Sequence, residues 1–320
     1  LDPQSKSLTI PPSPLLCPRC RGSLAETPAG LSCGGCVLAF PIEDGIADLS
    51  GGRYYDAFDP ETVAPEVLLS GLELETSGVR RRIRDFYAPL LRAAESKVSR
   101  ALDCGCGNGL SVDLLIEEGF DAWGIDVSQL RKWQWRERRR RDRLVVTDGS
   151  GLPFPDGYFC AVISSGVIEH VGVDEVPPPN YGVRPRPDRD AARLAFVAEL
   201  LRVTRPGGVV YVDCPNGAFP IDFWHGNAPG AARRHSRAEG FLPHFGELRS
   251  LAGKASPRAR VQAISPYRRL QFHQAKGHLH GRLLSAPANL FLWLIRLPVL
   301  RYLARTGANP FLVVRITRAS

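Results

Sequence analysis

The heptapeptide Asp103-Cys104-Gly105-Cys106-Gly107-Asn108-Gly109 constrains this chain more than any other segment. It follows the short run Ser99-Arg100-Ala101-Leu102 and leads at once into Leu110, Val112, Leu114 and Leu115. A strand is therefore predicted to enter a helix through a glycine-rich turn. Glycine lets backbone come close to a ligand, and a helix N-terminus offers free N–H groups to an anionic group. Such a loop is a nucleotide-type cradle at the C-terminal edge of a parallel sheet. A second strand, Ala122-Trp123-Gly124-Ile125, ends in Asp126, 23 residues after Asp103. An acid at about that distance accepts hydrogen bonds from ribose hydroxyls. The pattern D-x-G-x-G-x-G is not the dinucleotide G-x-G-x-x-G, and the absence of a following Gly-Lys-Ser/Thr excludes a P-loop.

Later segments carry a resemblance. Thr147-Asp148-Gly149 precedes Leu152-Pro153-Phe154, and an apolar run spans Tyr158–Ser165. Val167-Ile168-Glu169-His170-Val171 and Leu200–Gly208 follow in order. Taken together, residues 78–218 resemble class I S-adenosylmethionine (SAM)-dependent methyltransferases of the type 11 group, with Cys160 where an Asp is usual. The resemblance implies an α/β fold. A Rossmann-like, seven-stranded sheet with helices on both faces is expected; the plain fold joins its last two strands by a near-hairpin, and the residues that intervene here are expected as a helical insertion. It implies SAM as cofactor, with Asp103 positioning the ammonium, Asp126 the ribose diol, and Asp148 and Gly149 the adenine. Gly105, Cys106, Gly107, Asn108, Val127 and Ser165 complete the cofactor set. His170 is the expected base or acceptor-orienting group, with Glu169 as its partner; His225 and His235 lie in a later loop. The alternative for each Asp is a turn or cap residue.

Cys17-Pro18-Arg19-Cys20 and Cys33-Gly34-Gly35-Cys36 form two C-x2-C units. Four thiolates so spaced would complete a closed tetrahedral zinc shell, structural and not catalytic; a redox pair is the competing reading, and two such units favour zinc. The glycines at 34 and 35 suit a tight turn under the metal. The tail Phe40–Leu49 resembles small zinc-ribbon domains similar to the activator subunits of tRNA methyltransferases. A ribbon this small draws its stability from the metal. It serves either to dock substrate or to brace the neighbouring domain.

The expected organisation is a ribbon with an N-terminal arm over 1–50, linker and lid helices over 51–98, and the methyltransferase domain over 99–320, with the insertion at 265–308. The arm, 1–13, is polar and rich in Pro. Helices are predicted over 79–98, 128–141 (N-cap Ser128), 191–203 and 245–252. Strands are predicted over 143–147, 208–213, 260–264 and 310–317. Loops are expected at 177–190 and 215–242. Tyr54, Tyr55 and Tyr87 are candidates to touch cofactor or acceptor. The run Arg138–Arg141 is expected near a helix end, where cations suit the dipole.

Net charge is +8, carried almost entirely by Arg. This admits RNA or anionic lipid as partners without choosing between them. The apolar stretch 290–297 is too short and interrupted to span a bilayer and reads as a buried helix, or as an interfacial one giving peripheral membrane contact. Cys104, Cys106, Cys160 and Cys214 read as buried free thiols; with no secretory signal visible, a cytoplasmic setting is expected. The segment after strand four lacks the N/D-P-P-Y/F of nucleobase amino-methylating enzymes. The leading expectation is methyl transfer, at oxygen, to a small or lipid-like metabolite. The alternatives are an rRNA or tRNA methyltransferase docking RNA through the ribbon, and a non-catalytic SAM-binding scaffold.

Overall fold

The computed structural model describes residues 14–59, 72–94, 99–176, 179–227, 231–270 and 279–319. The expected arm at 1–13, and the parts of the expected linker, helices, loops and insertion that fall in the intervening gaps, lie outside the described residues.

Strands β1 (Leu24–Thr27), β2 (Gly30–Cys33) and β3 (Leu38–Phe40) form an antiparallel sheet under the four cysteines. Next come β4 (Ile42–Glu43) and β5 (Ile46–Asp48). Helix α1 (Leu72–Arg81) continues through a π-helical turn, Arg82–Tyr87, into α2 (Ala88–Arg92). The alternating units follow: β6 (Arg100–Cys104), α3 (Leu110–Glu117), β7 (Asp121–Asp126), α4 (Gln129–Trp135), β8 (Leu144–Val146) and β9 (Phe159–Ser165). A hairpin of β10 (Val173–Val176) and β11 (Gly182–Pro185) precedes α5 (Arg189–Val203) and β12 (Thr204–Pro215). The chain closes with short strands β13 (Ile221–Asp222) and β14 (Arg233–Arg234), then α6 (Phe245–Ala255), β15 (Arg260–Ile264), α7 (Leu279–Leu294) and β16 (Phe311–Thr317).

The main sheet has the order β15-β16-β12-β9-β6-β7-β8-β5-β4. From β8 to β12 the strands are parallel, as helical crossovers require. β16 returns antiparallel between β12 and β15. The seven expected strands are present. Their order reverses at β6, which lies between β7 and β9, and the C-terminal ends of these three strands define the switch-point crevice. Strands buried on both faces read as continuous apolar runs, and every residue of β9 is buried.

Two further strands extend the sheet beyond the expected seven. Ala47 and Asp48 of β5 pair in parallel with Val145 and Val146 of β8. The segment read as the ribbon's tail thus belongs to the main sheet. Leu15, Cys17, Leu31, Cys33 and Phe40 share one apolar core with Trp123, Val145, Phe154 and Phe196.

Other departures are local. Helix α4 stops at Trp135 and not near Arg141. The arginine run occupies the following turn, where Arg138 Nε donates to the Asn108 carbonyl (2.8 Å) and Arg140 pairs with Asp142 (3.0 Å). The expected loop at 177–190 contributes β11 to a hairpin. In α7 and beyond, Leu292 and Ile295 are buried, while Leu290, Trp293 and Leu297 are exposed. Among the described residues, no helix is long and apolar enough to cross a membrane.

Candidate active site

A cleft of about 780 Å³ opens at the switch point. That volume suits a cofactor-sized ligand, for which ~300–1,000 Å³ is usual. Its floor is Cys104, Gly105, Cys106 and Gly107 from the loop after β6. Gly105 has φ +84°, and a Cβ there would collide with Val167 Cγ2. The backbone N–H groups of Gly105 and Cys106 both donate to the Ile125 carbonyl at 2.9 Å. Trp135 Nε1 donates to the Gly107 carbonyl at 2.8 Å. The loop is thereby held open and shaped from α4, which buries the Trp135 ring.

Asp126 lines the cleft at the end of β7. One carboxylate oxygen accepts from Gly107 N–H (2.9 Å), the other from Val127 N–H (2.8 Å) and Ser128 N–H (3.2 Å). Burial pushes its pKa above the ordinary value, against those three donors. Of its roughly four lone-pair sites one remains, on the oxygen that accepts from Gly107, for a ribose hydroxyl. Ser128 caps α4 as expected, accepting from Arg131 N–H at 3.1 Å. Asp56, from the segment before α1, adds a second cap, accepting from Gln129 N–H at 2.7 Å.

Of the residues expected to bind cofactor, Gly105, Cys106, Gly107, Asp126, Val127, Gly149 and Ser165 line the cleft. Asp103, Asn108 and Asp148 do not. Asp103 is fully buried behind the wall, with Oδ2 3.4 Å from Arg82 Nη2 and Oδ1 without a hydrogen-bond partner. Asn108 is buried and accepts from Leu110 N–H at 3.1 Å. Asp148 is exposed, and its carboxylate accepts from Ser150 N–H at 2.8 Å, the turn role that short acids commonly take.

Three arginines that sequence reasoning missed line the cleft, Arg82, Arg131 and Arg269. Arg269 makes a paired contact with Asp213 (3.0 and 2.9 Å) and donates to Ser165 Oγ at 2.7 Å. Tyr87, expected near the ligand, is buried beneath this network and donates to Asp213. Tyr54 donates to Asp48 instead (2.6 Å), whereas Tyr55 does line the cleft.

The outer wall is built on the segment after β9. His170 lines the cleft, and its Nδ1 lies 2.5 Å from Glu175 Oε1. Glu175 also accepts from Tyr55 (3.0 Å) and Tyr181 (2.7 Å). Burial would raise the Glu175 carboxyl, but these three donors prevail and hold it down at about 2. Burial would lower the His170 imidazole, but the Glu175 hydrogen bond and the Glu169 charge carry it above its ordinary value. The partner of His170 is therefore Glu175, not Glu169. The sequence hid this because Glu175 reaches His170 only when β10 folds against β11.

Glu169 is buried, and burial raises its pKa. Its backbone is pinned by the fully buried Arg193 of α5, whose guanidinium donates to the Glu169 carbonyl (3.0 Å) and the Phe241 carbonyl (2.6 Å) and pairs with Glu247 (2.7 Å). His225 packs edge-on to His170, with ring centroids 5.2 Å apart. His235 is turned away and bonds the Phe219 carbonyl at 2.6 Å.

At the N-terminus, one sulfur from each of Cys17, Cys20, Cys33 and Cys36 lies within 4.8 Å of the others. Edges of about 3.8 Å are expected for sulfurs at 2.3 Å from one zinc ion. Arg21 and Val37, each four residues after the first cysteine of a pair, both adopt left-handed backbone (φ 58° and 56°). The two knuckles are thus alike in conformation. Gly34 and Gly35 lie in the turn of the second pair as expected, and the left-handed residue of that turn is Val37. Such a conformation is costly for a β-branched residue and has to be held by its surroundings. Cys104, Cys106, Cys160 and Cys214 are buried free thiols, as expected.

Comparison with known proteins agrees with this geometry. Residues 102–212 match the family model Methyltransf_11, described as a methyltransferase domain. The chain is similar to the 18S rRNA (guanine(1575)-N(7))-methyltransferase of Saccharomyces cerevisiae, 35% identical over 118 residues, 34% of this chain and 43% of the relative. It is also similar to the 2-methyl-6-phytyl-1,4-hydroquinone methyltransferase of Synechocystis, 32% identical over 131 residues, 38% of this chain and 35% of the relative. The crystal structure of Streptomyces venezuelae DesVI is 15% identical, covering 81% of this chain and 100% of that chain with a TM-score of 0.48. The chain spans under half the length of both curated relatives. Residues 102–212 carry a methyltransferase domain.

Proposed function

We propose that the whole chain is a SAM-dependent methyltransferase acting at oxygen on a small or lipid-like metabolite, with a structural zinc ion in the ribbon. The observation that carries the reading is the cleft itself: a glycine floor closed by Val167, Asp126 at the ribose position and His170 on the opposite wall. Gly105, Cys106 and Gly107 would lie under the cofactor, and Asp126 would take its ribose. Asp103, behind the wall with Oδ1 buried and without a hydrogen-bond partner, is the candidate for the amino-acid end. SAM supplies, when bound, an electrophilic methyl group on a sulfonium that leaves with the bonding electrons as a neutral thioether.

The chain has to bring an acceptor oxygen in line and dispose of its proton. His170 is placed for both tasks, because Glu175 fixes its ring and stabilises positive charge on it. Tyr55 and Trp224 add aromatic surface to the wall, which suits an apolar acceptor.

Docking of RNA through the ribbon draws support from the rRNA-modifying relative. Two observations favour bracing instead. The ribbon shares its core with the catalytic sheet, and Arg138 and Arg140 of the arginine run are engaged by intramolecular partners.

The test is acceptor profiling. Small-molecule extracts and bulk RNA are each incubated with the enzyme and methyl-labelled SAM. The reading expects label in an organic-soluble hydroxyl or carboxyl compound and its loss in His170→Ala. Label in RNA alone overturns it.

A further inference from the structure

A second cluster of ligand-type side chains lies at the outer wall of the cleft. Glu169, His170 and His225 can each bring one ligand atom within 4.8 Å of the others. Both imidazoles are oriented through Nδ1 by a carboxylate: His170 by Glu175 at 2.5 Å and His225 by Asp222 at 3.0 Å. Each ring is left with Nε2 as its uncommitted nitrogen. Metal-bound histidines typically have this arrangement, in which the second nitrogen donates to a carboxylate that fixes tautomer and orientation.

The carboxylates are themselves held. Asp222 is fully buried and accepts from Trp224 N–H (2.9 Å) and Arg233 Nε (3.3 Å). Glu175 is held by Tyr55 and Tyr181.

An independent observation points to a missing partner. Glu169 is 1% exposed, and its Oε2 is buried with no hydrogen bond. A buried carboxylate oxygen without a donor is costly. Neither Glu175, Tyr55 nor Tyr181 satisfies it. Arg193, close by, spends its donors on the Glu169, Val171 and Phe241 carbonyls and on Glu247.

We propose that Glu169, His170 and His225 form a binding site for a divalent first-row transition metal that holds the oxygen of the methyl acceptor at the cleft wall. Two imidazoles and one carboxylate on neighbouring turns leave coordination positions open, and this donor set suits Zn, Fe, Mn, Co or Ni more than Mg or Ca. The metal site stands on its own geometry; its role in holding an acceptor rests on the methyltransferase reading. There the cation lowers the pKa of a bound hydroxyl. With the cation bound, His170 is a ligand and no longer the base: the hydroxyl proton passes to solvent, the oxygen lone pair forms the new C–O bond, and the C–S bond breaks with its electrons going to sulfur. The acceptor class is accordingly narrowed to compounds with a hydroxyl or carboxylate that can bind a metal.

The experiment uses the full chain with its ribbon zinc retained. Cobalt(II) is titrated in and followed by visible absorption, and SAM binding is followed by calorimetry on the same samples. The inference expects one equivalent of cobalt with d–d bands and no thiolate charge-transfer band. Uptake should be lost in both His225→Ala and Glu169→Gln, while both variants keep their affinity for SAM within about twofold. No uptake, uptake carrying the thiolate band, or uptake unchanged in both variants overturns it. SAM binding without cobalt uptake leaves the methyltransferase reading intact. Cobalt uptake without SAM binding keeps the metal site and removes the role given to it.

Discussion

Lys132 Nζ lies 2.7 Å from a carboxylate oxygen of Asp48. One residue belongs to the strand that leaves the ribbon, the other to the helix whose Trp135 holds the cofactor loop. Glu43 binds the same ammonium at 2.7 Å. The ribbon is therefore tied, through α4, to Gly107. Asp48 also accepts from Ser50 and Tyr54. Burial alone would raise its pKa, but Lys132 and these donors hold it below the ordinary carboxylate value. Burial would lower Lys132, yet its two carboxylates carry it above its ordinary value.

The sign of the pH effect follows. A depressed Asp48 stabilises the fold above about pH 4, its unfolded pKa, and that stability is lost as pH falls through the lower folded value. An elevated Lys132 stabilises below about pH 10 and loses its contribution as pH rises through the folded value. Asp48→Asn should cost about 1–3 kcal/mol at neutral pH in urea unfolding, and the gap to wild type should narrow below pH 4. A gap unchanged down to pH 2 contradicts the pairing.

Cys33→Ser should do more than loosen the ribbon. β5 pairs with β8, and the two regions share one core. Loss of the metal is therefore expected to lower the unfolding temperature of the whole chain in a single transition, together with weaker SAM binding. Two separate calorimetric transitions, the larger unchanged, would show that ribbon and sheet are independent.

Gly105→Ala places a methyl against Val167 at φ +84°. Left-handed backbone with a Cβ costs about 1–2 kcal/mol, and the collision adds to it. SAM affinity is expected to fall at least tenfold with little change in circular dichroism. Affinity equal to wild type would mean that the floor is not where the ligand lies.

Arg193→Met removes the guanidinium that holds the Glu169 and Phe241 carbonyls and strands Glu247. Breaking such a buried pair typically costs about 3–5 kcal/mol. Methyl transfer should drop further than stability at a temperature where both proteins are folded, because the wall bearing His170 loses its anchor. Unfolding curves that superimpose on wild type would refute this role.

The residues legible in the sequence were those whose function is local. The strand–loop–helix at Gly105–Gly109, the acid at Asp126 and the paired cysteines are each set by spacing along a few residues. What escaped was long-range. Arg82, Arg193 and Arg269 act through partners 21 to 104 positions away, and nothing near them in the chain marks them as different from other arginines. Asp103 and Asp148 illustrate the converse. Their pattern suggested ligand contact; the structure buries the first behind the cleft wall and engages the second in a turn. β5 was assigned to the ribbon because its motif is contiguous with it, although its pairing partner lies about a hundred residues on.

Titration calorimetry of SAM into the wild-type chain and into Asp126→Ala tests the central claim most directly. Wild type should bind one SAM per chain, and the variant, having lost the acid beneath the ribose, should bind at least tenfold more weakly. Absence of binding by the folded wild-type chain, or equal affinity in the two proteins, would contradict the assignment of this cleft.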